Sequence, residues 1–368
     1  MNRRNWLKIS SLIASGSFLN QSYAHNQVGC TLPDFPSEYL RMGSNENPYG
    51  PSPMALAAMQ NALQMGNRYP DTYPLKEKIA AKFGLTPQHI LLGAGSAEIL
   101  GLIALAYFSK GQGSLVAPKP TFFVLLNTAE RLGARLINVP LTTDKKHDLE
   151  AMAKAIESDT KLIYICNPNN PTGTKLPPDQ LRAFVEEISK KYVVAIDEVY
   201  HDFINEPSMI PLVANNKNVI VARSFSKVYG LAGMRVGFGV AHPETLAYLS
   251  KFVAWPGNAI SQVTNAAAMA SLDDVEFVRM SLQKNEESKQ MLYQFLKSKG
   301  INYTPSFTNC SYFELDSKLP TNFVKRMEEE KKVVVREYND YGKLYCRVST
   351  GKPEDMQQFI AAATALIG

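Results

Sequence analysis

Cysteine is scarce and scattered in this 368-residue chain: Cys30, Cys166, Cys310 and Cys346 lie far apart and form no C-x-x-C pair. That spacing argues against a zinc ribbon or a thiol redox motif, so no metal site is expected, and each cysteine reads as a small hydrophobe for packing. Charge of one sign is equally thin. The 39 basic and 34 acidic residues leave a formal net charge of +5, and the one dense stretch, Glu328 to Lys332, mixes both signs. Nothing there supports a nucleic-acid partner. The apolar stretch from Ile9 to Leu19 is too short and too weakly apolar to span a bilayer, so no permanent membrane anchor is expected. Internal repeats, low-complexity linkers and a G-x-G-x-x-G fingerprint are also missing. Their absence excludes a repeat architecture, a loosely tethered domain pair and the dinucleotide-binding signature.

What is present begins at the N-terminus. Arg3-Arg4-Asn5-Trp6-Leu7-Lys8 precedes the weakly apolar stretch, and Ser22-Tyr23-Ala24 offers small residues where a signal peptidase cuts. Residues 1–24 therefore resemble a twin-arginine export signal, which places the mature protein in the periplasm or outside the cell. Without such a signal the expected location is the cytoplasm.

The remaining length, with 45% hydrophobic residues, can bury one large core and a smaller one. From about Pro53 helical and strand patterns alternate. Leu115–Ala117, Leu162–Ile165, Val193–Ile196, Val219–Ala222 and Val236–Val240 are short apolar runs of the kind buried on both faces of a sheet. Amphipathic stretches such as Asp179 to Lys191, opened by Pro177-Pro178, supply the crossover helices. The predicted class is α/β, with a mainly parallel sheet flanked by helices over residues 53–260, after an arm at residues 25–52. Beyond residue 260 a long polar helix from Asp273 to Lys299, short strands near 311–315, 333–336 and 344–348, and a last helix from Pro353 to Ile367 predict a smaller α+β domain over 261–368.

Chemistry-bearing residues fall at the ends of the predicted strands, the edge where open α/β sheets hold ligands. Lys227, in Ser224-Phe225-Ser226-Lys227, follows one strand. Alone it reads as a solvated loop lysine. Partly buried, it would deprotonate readily and suit a Schiff base to an aldehyde cofactor. Asp197 ends the preceding strand with Tyr200 just beyond it. A buried carboxylate there needs a cationic partner, and a protonated pyridine nitrogen is one. The stiff turn Asn167-Pro168-Asn169-Asn170-Pro171-Thr172-Gly173 fixes an amide at a third strand end. Gly93-Ala94-Gly95-Ser96-Ala97 opens an apolar helix whose free N–H groups suit a phosphate, with Ser224, Ser226 and Arg235 available from the other side.

Taken together, Asn170, Asp197, Tyr200, Lys227 and Arg235 in this order resemble the fold-type-I pyridoxal 5′-phosphate (PLP) aminotransferases, specifically the histidinol-phosphate aminotransferase family. Ser44-Asn45-Glu46-Asn47-Pro48-Tyr49-Gly50-Pro51, Arg68-Tyr69-Pro70-Asp71 and Gly230-Leu231-Ala232-Gly233-Met234-Arg235 carry the same likeness, which runs from about Leu40 to Gly351. It implies that Lys227 forms the Schiff base and shuttles the proton, that Asp197 pairs with the pyridine nitrogen, and that Asn170 and Tyr200 bind the phenolic oxygen. Ser96, Ala97, Ser224, Ser226 and Arg235 would hold the phosphate, joined by Tyr69 from the second subunit of a homodimer with shared sites. Phe122 would stack on the ring, where the family often has tyrosine. For substrates, the resemblance assigns Arg347 to the α-carboxylate, Arg336 to a substrate phosphate, and Asn47 to the binding site. The segment Tyr338 to Lys343 is read as a compact aromatic connection that shapes the pocket. The implied reaction moves an amino group from an amino acid or amino-alcohol phosphate, histidinol phosphate by resemblance, to a 2-oxo acid such as 2-oxoglutarate. A PLP decarboxylase of a phosphorylated amino acid and a non-catalytic PLP-fold binding protein remain the alternatives.

Overall fold

The computed structural model describes residues 38–253, 255 and 259–367. The expected export signal, most of the arm before residue 38 and Cys30 lie outside the described residues. Among the described residues thirteen strands are defined. β1 is Leu40–Arg41, β2 Ile90–Gly93, β3 Ser114–Lys119, β4 Arg135–Pro140, β5 Thr160–Cys166, β6 Val193–Asp197, β7 Val219–Ser224 and β8 Gly237–Ala241. β9 is Tyr303–Thr304, β10 Cys310–Glu314, β11 Val333–Val334, β12 Arg336–Asp340 and β13 Lys343–Ser349.

Seven strands form the main sheet in the order β2-β8-β7-β6-β5-β3-β4. β4, β3, β5, β6 and β7 run parallel, while β8 runs antiparallel to both β7 and β2. The continuous apolar runs explain the burial of both faces, because side chains alternate across each strand. Ile163, Ile165, Val194, Ile196 and Val221 enter one core with helices Tyr73–Ala81 and Pro178–Ile188. Leu162, Tyr164, Ala195, Ile220 and Ala222 enter the other, with helices Ser96–Phe108, Val124–Arg131 and Pro243–Ser250. Truncating any of the fully buried aliphatics to alanine costs about 2–5 kcal/mol. The fold class read from the sequence is the one observed.

The parallel arrangement brings three adjacent carboxyl ends together. Cys166 pairs in register with Asp197, and Asp197 with Ala222, so the segments after β5, β6 and β7 emerge side by side. Behind β2, the helix Ser96–Phe108 starts at Gly95, whose φ of 89° needs no side chain, and no side chain caps its first turn.

The second sheet has the order β12-β13-β10-β9, with all neighbours antiparallel. One face packs Phe313, Cys346 and Val348 against helices Val275–Ser298, Phe323–Lys331 and Pro353–Ile367. β1 pairs parallel with β11, so the chain just after residue 38 is fastened to this sheet's neighbourhood. The segment Tyr338 to Lys343 belongs to the second sheet, and its Tyr338 lines the cavity described below. It continues β12 into β13 as a hairpin in which Tyr338 faces Tyr345 and Asp340 faces Lys343. Tyr341 and Gly342 form its two-residue turn, both at positive φ, the pattern that matches strand twist. Among the described residues no helix is long and apolar enough to cross a membrane.

Candidate active site

The three strand ends open into a cavity of about 590 Å³. Lys227, Asp197, Tyr200, Asn170, Ser96, Ala97, Phe122, Ser224, Ser226, Arg235, Arg336 and Arg347 all line it. They come from segments spanning residues 96–347, brought together by the parallel register and by the hairpin of the second sheet.

Asp197 is almost wholly buried at the end of β6. One carboxylate oxygen accepts from the Tyr164 hydroxyl at 3.0 Å and the other from the Val199 N–H at 3.1 Å. Among the described residues no basic nitrogen comes within ion-pair distance. Burial therefore dominates and pushes its pKa up to about 6, against the lowering effect of its hydrogen bonds and Lys227. A carboxylate held this way is a site for a buried cation.

Lys227 is turned into the same cavity, its Nζ donating to the carbonyls of Asn45 at 3.1 Å and Ser44 at 3.2 Å. Burial, then the nearby Arg347 guanidinium, lowers its pKa to about 8. Near neutral pH a useful fraction of the amine is unprotonated, as a nucleophile requires.

The Tyr200 ring centroid lies 5.8 Å from Lys227 Nζ. Its hydroxyl accepts from Asn45 Nδ2 at 2.8 Å and Asn170 Nδ2 at 3.4 Å. Burial holds its pKa well above the ordinary phenol value. The Asn170 carbonyl oxygen in turn accepts from Arg347 Nη1 at 2.7 Å, and Arg347 Nη2 donates to the Gly43 carbonyl at 2.5 Å. Arg347 Nε is buried with no partner among the described residues.

At the opposite wall lies a cradle for an anion. The N–H groups that begin the helix at Ser96 point into the cavity rim with Ser224, Ser226 and Arg235 around them. Arg235, at φ 54°, is held by the carbonyls of Ala232 at 3.0 Å and Ala94 at 3.1 Å. A Cβ at Gly95 would lie 2.4 Å from Arg235 Nη2, and one at Gly237 2.4 Å from the Ser96 nitrogen. Both glycines are needed for the close approach.

The chain matches known proteins over most of its length. Residues 37–362 match the model of the family described as aminotransferase class I and II. The chain belongs to that family. Histidinol-phosphate aminotransferase of Moorella thermoacetica is 38% identical over 337 residues, covering 90% of this chain and 86% of the relative. Histidinol-phosphate aminotransferase 2 of Ralstonia nicotianae is 39% identical over 333 residues, covering 88% and 87%. Among solved structures, histidinol-phosphate aminotransferase from Sinorhizobium meliloti in complex with pyridoxal-5′-phosphate superposes with a TM-score of 0.83 at 27% identity, covering 89% of this chain and 90% of that one. The protein is a PLP-dependent aminotransferase of fold type I, and these relatives do not favour the decarboxylase or non-catalytic alternatives.

The cavity of this aminotransferase fits PLP on its own chemistry. A buried carboxylate with no basic partner among the described residues, an amine of lowered pKa and an anion cradle line this one cavity, and these are the groups that a pyridine nitrogen, an aldehyde and a phosphate require. One expected residue stands elsewhere, and a second, Tyr69, is the one expected to serve the site of another subunit. Asn47 does not line the cavity; its amide donates to the Val228 carbonyl at 2.8 Å and to Ser281 Oγ at 3.2 Å, so it braces the turn after Lys227. Tyr69 is exposed, packed against Trp255 with ring centroids 4.9 Å apart.

Sequence reasoning assigned no role to Asn45, Ser44, Tyr164 or Ser349. Asn45 is the hub among them. Its N–H donates to Ser349 Oγ at 2.7 Å, and its carbonyl accepts from Asn309 Nδ2 at 3.0 Å as well as from Lys227. The signal for Tyr164 was available: a hydroxyl in the middle of an apolar run buried on both faces needs a polar partner.

Proposed function

We propose that this enzyme transfers an amino group from a phosphorylated amino compound to a 2-oxo acid, with histidinol phosphate and 2-oxoglutarate as the expected pair. The observation that carries this reading is the presence of two arginines, Arg336 and Arg347, in the same cavity as Lys227 and Asp197. Arg347 is buried and suits a carboxylate; Arg336 is exposed at the mouth and suits a more distant phosphate. The names of the 35–39% identical relatives point to the same phosphorylated donor.

Bound PLP supplies the aldehyde that captures the amine and the electron sink that stabilises charge at the substrate Cα. Asp197 would hold the pyridine nitrogen and favour its protonated form, since a buried carboxylate attracts a cation. Tyr200 and Asn170 bind the phenolic oxygen, and their own placement is fixed by Asn45 and Arg347. Lys227 Nζ, with its lowered pKa, would be the base that takes the proton from the substrate Cα and returns it. Phe122 covers the ring. The Ser96 and Ala97 N–H groups, with Ser224, Ser226 and Arg235, hold the phosphate.

The exposed Tyr69 is the residue we assign to a second copy of the chain, reaching the phosphate in the neighbouring site of a homodimer. Export through a twin-arginine route fits a protein that folds around its cofactor before crossing a membrane, and it leaves room for an amine other than histidinol phosphate.

The test is an amino-donor screen with purified PLP-loaded enzyme, followed by loss of the PLP absorbance band and by glutamate formed from 2-oxoglutarate. Phosphorylated donors are expected to convert the band at lower concentration than their unphosphorylated counterparts. Release of CO₂ without glutamate would overturn the reading. Lys227→Ala is expected to abolish turnover while still binding PLP noncovalently; retained turnover would remove the role given to Lys227.

A further inference from the structure

Outside the cavity, one ion pair joins the turn after β4 to the hairpin that carries Arg347. Lys145 Nζ lies 2.6 Å from Asp340 Oδ2, and the Asp340 side chain is only 5% exposed. Asp340 ends β12, in the hairpin whose other strand holds Arg347. Lys145 sits in the turn after β4, in the left-handed region at φ 62°. Its carbonyl accepts from Thr174 Oγ1 at 2.6 Å. Thr174 bonds Thr172, and Thr172 accepts from Asn169 Nδ2 at 2.9 Å, within the turn that presents Asn170. Lys145 thus touches the Asn170 turn through its backbone and the Arg347 hairpin through its side chain. The two elements meet again at the 2.7 Å bond from Arg347 to Asn170.

An aromatic layer fills the space between the two junctions. The Lys145 ammonium lies 4.7 Å from the Tyr345 ring centroid, and Tyr345 stacks on Tyr312 at 4.6 Å with planes 8° apart. Tyr338 meets Tyr312 edge-on at 6.2 Å and carries the Arg347 guanidinium 5.4 Å above it. A path of packed aromatic rings therefore runs from the ion pair to the arginine.

We propose that the Lys145–Asp340 pair is a positioning device that holds Arg347 at the depth where it receives the substrate carboxylate. Neither residue touches substrate. The pair fixes the hairpin against the Asn170 turn, so the guanidinium is already in place when a 2-oxo acid or amino acid arrives. This rests on the carboxylate role assigned to Arg347. A partly buried pair is also the kind whose single-sided loss is felt, because it leaves one charge buried and unpaired.

The experiment uses PLP-loaded Lys145→Met, Asp340→Asn and the double variant, with Arg347→Lys as a control. Each single change is expected to raise KM for the 2-oxo acid about tenfold, equivalent to about 1.4 kcal/mol, with kcat within about twofold of the parent. The dissociation constant of a non-reacting dicarboxylate should rise in parallel, and the PLP absorbance band should not move. The double variant should be no worse than the weaker single one, since the two changes break one interaction. A fall in Tm with unchanged KM, or additive effects on KM, would overturn the proposal. If Arg347→Lys leaves KM unchanged, the carboxylate role itself fails; if it raises KM while Lys145→Met does not, only the positioning role fails.

Discussion

Arg336 on β12 and Arg347 on β13 are direct cross-strand partners, so two guanidinium groups leave the same face of the hairpin side by side. Like charges opposed in this way destabilise a sheet. Arg347 relieves part of that cost through the Asn170 and Gly43 carbonyls, whereas no ion pair holds Arg336 among the described residues. A buried and an exposed cation side by side suit anionic substrates of two kinds, a carboxylate at Arg347 and a phosphate at Arg336. Arg336→Ala should therefore raise KM at least about tenfold for phosphorylated donors and change it little for unphosphorylated ones. Arg347→Ala should weaken every carboxylate substrate. Initial-rate kinetics on paired donors check this, and an equal loss on both donors would show that Arg336 reads no phosphate.

The buried Asp197 predicts a pH effect in the cofactor-free chain. Its folded pKa of about 6 exceeds the ordinary aspartate value of 3.8, so the folded chain binds the extra proton between those limits. Stability from this group is therefore lost as pH rises from about 4 to about 6, by about 1.4 kcal/mol for each tenfold difference in proton affinity between the folded and unfolded chains. Asp197→Asn should remove that loss. Melting curves of the two cofactor-free proteins at pH 4.5 and pH 7 should diverge, with the variant gaining on the parent at the higher pH. Curves that stay parallel would contradict the burial of an unpaired carboxylate.

Lys227 predicts the opposite slope at higher pH. Its folded pKa of about 8 lies below the ordinary 10.5, so the unfolded chain binds more protons across that window and stability rises with pH through it. Cofactor-free Lys227→Met should be more stable than the parent at pH 7 and lose this advantage near pH 10. Tm measured from pH 7 to pH 10 decides the point.

How much of this was legible in the sequence follows from range. Residues at the ends of apolar runs were readable, because a buried parallel strand announces its own boundary and the fold places ligands at that edge. Lys227, Asp197 and Asn170 were found in this way. The phosphate cradle was readable for the same reason, as a glycine-rich start to an apolar helix. Asn45 was not, since its importance comes from partners such as Ser349 and Asn309, 304 and 264 residues away. Asn47 lies two residues from that hub and was placed in the site by likeness, yet its amide is spent on Val228 and Ser281. The Tyr338–Lys343 strand extension was hidden because Asn339 and Asp340 disfavour strands in isolation; the pairing with β13 and the Tyr341-Gly342 turn override that local preference.

A residue with no side chain also supports the anion cradle. Gly237 begins β8, directly beneath the start of the helix whose N–H groups form the anion cradle. A Cβ there would lie 2.4 Å from the Ser96 nitrogen, 2.7 Å from the Gly95 carbonyl carbon and 2.8 Å from the Arg223 oxygen. All three are backbone atoms, so no rotamer change relieves the clash and the helix start must move. Overpacking of this kind costs about 1–3 kcal/mol. The Ser96 N–H is one of the groups proposed to hold the phosphate, so Gly237→Ala should raise the PLP dissociation constant about tenfold or more as well as lower Tm. Gly101, in the middle of the same helix, has nothing within 4 Å of the place a Cβ would take, so Gly101→Ala should keep PLP affinity and gain up to about 1 kcal/mol from helix propensity. PLP titration by fluorescence beside thermal melts separates the two variants. Equal PLP affinity in both would show that the cradle does not depend on the contact between Gly237 and Ser96.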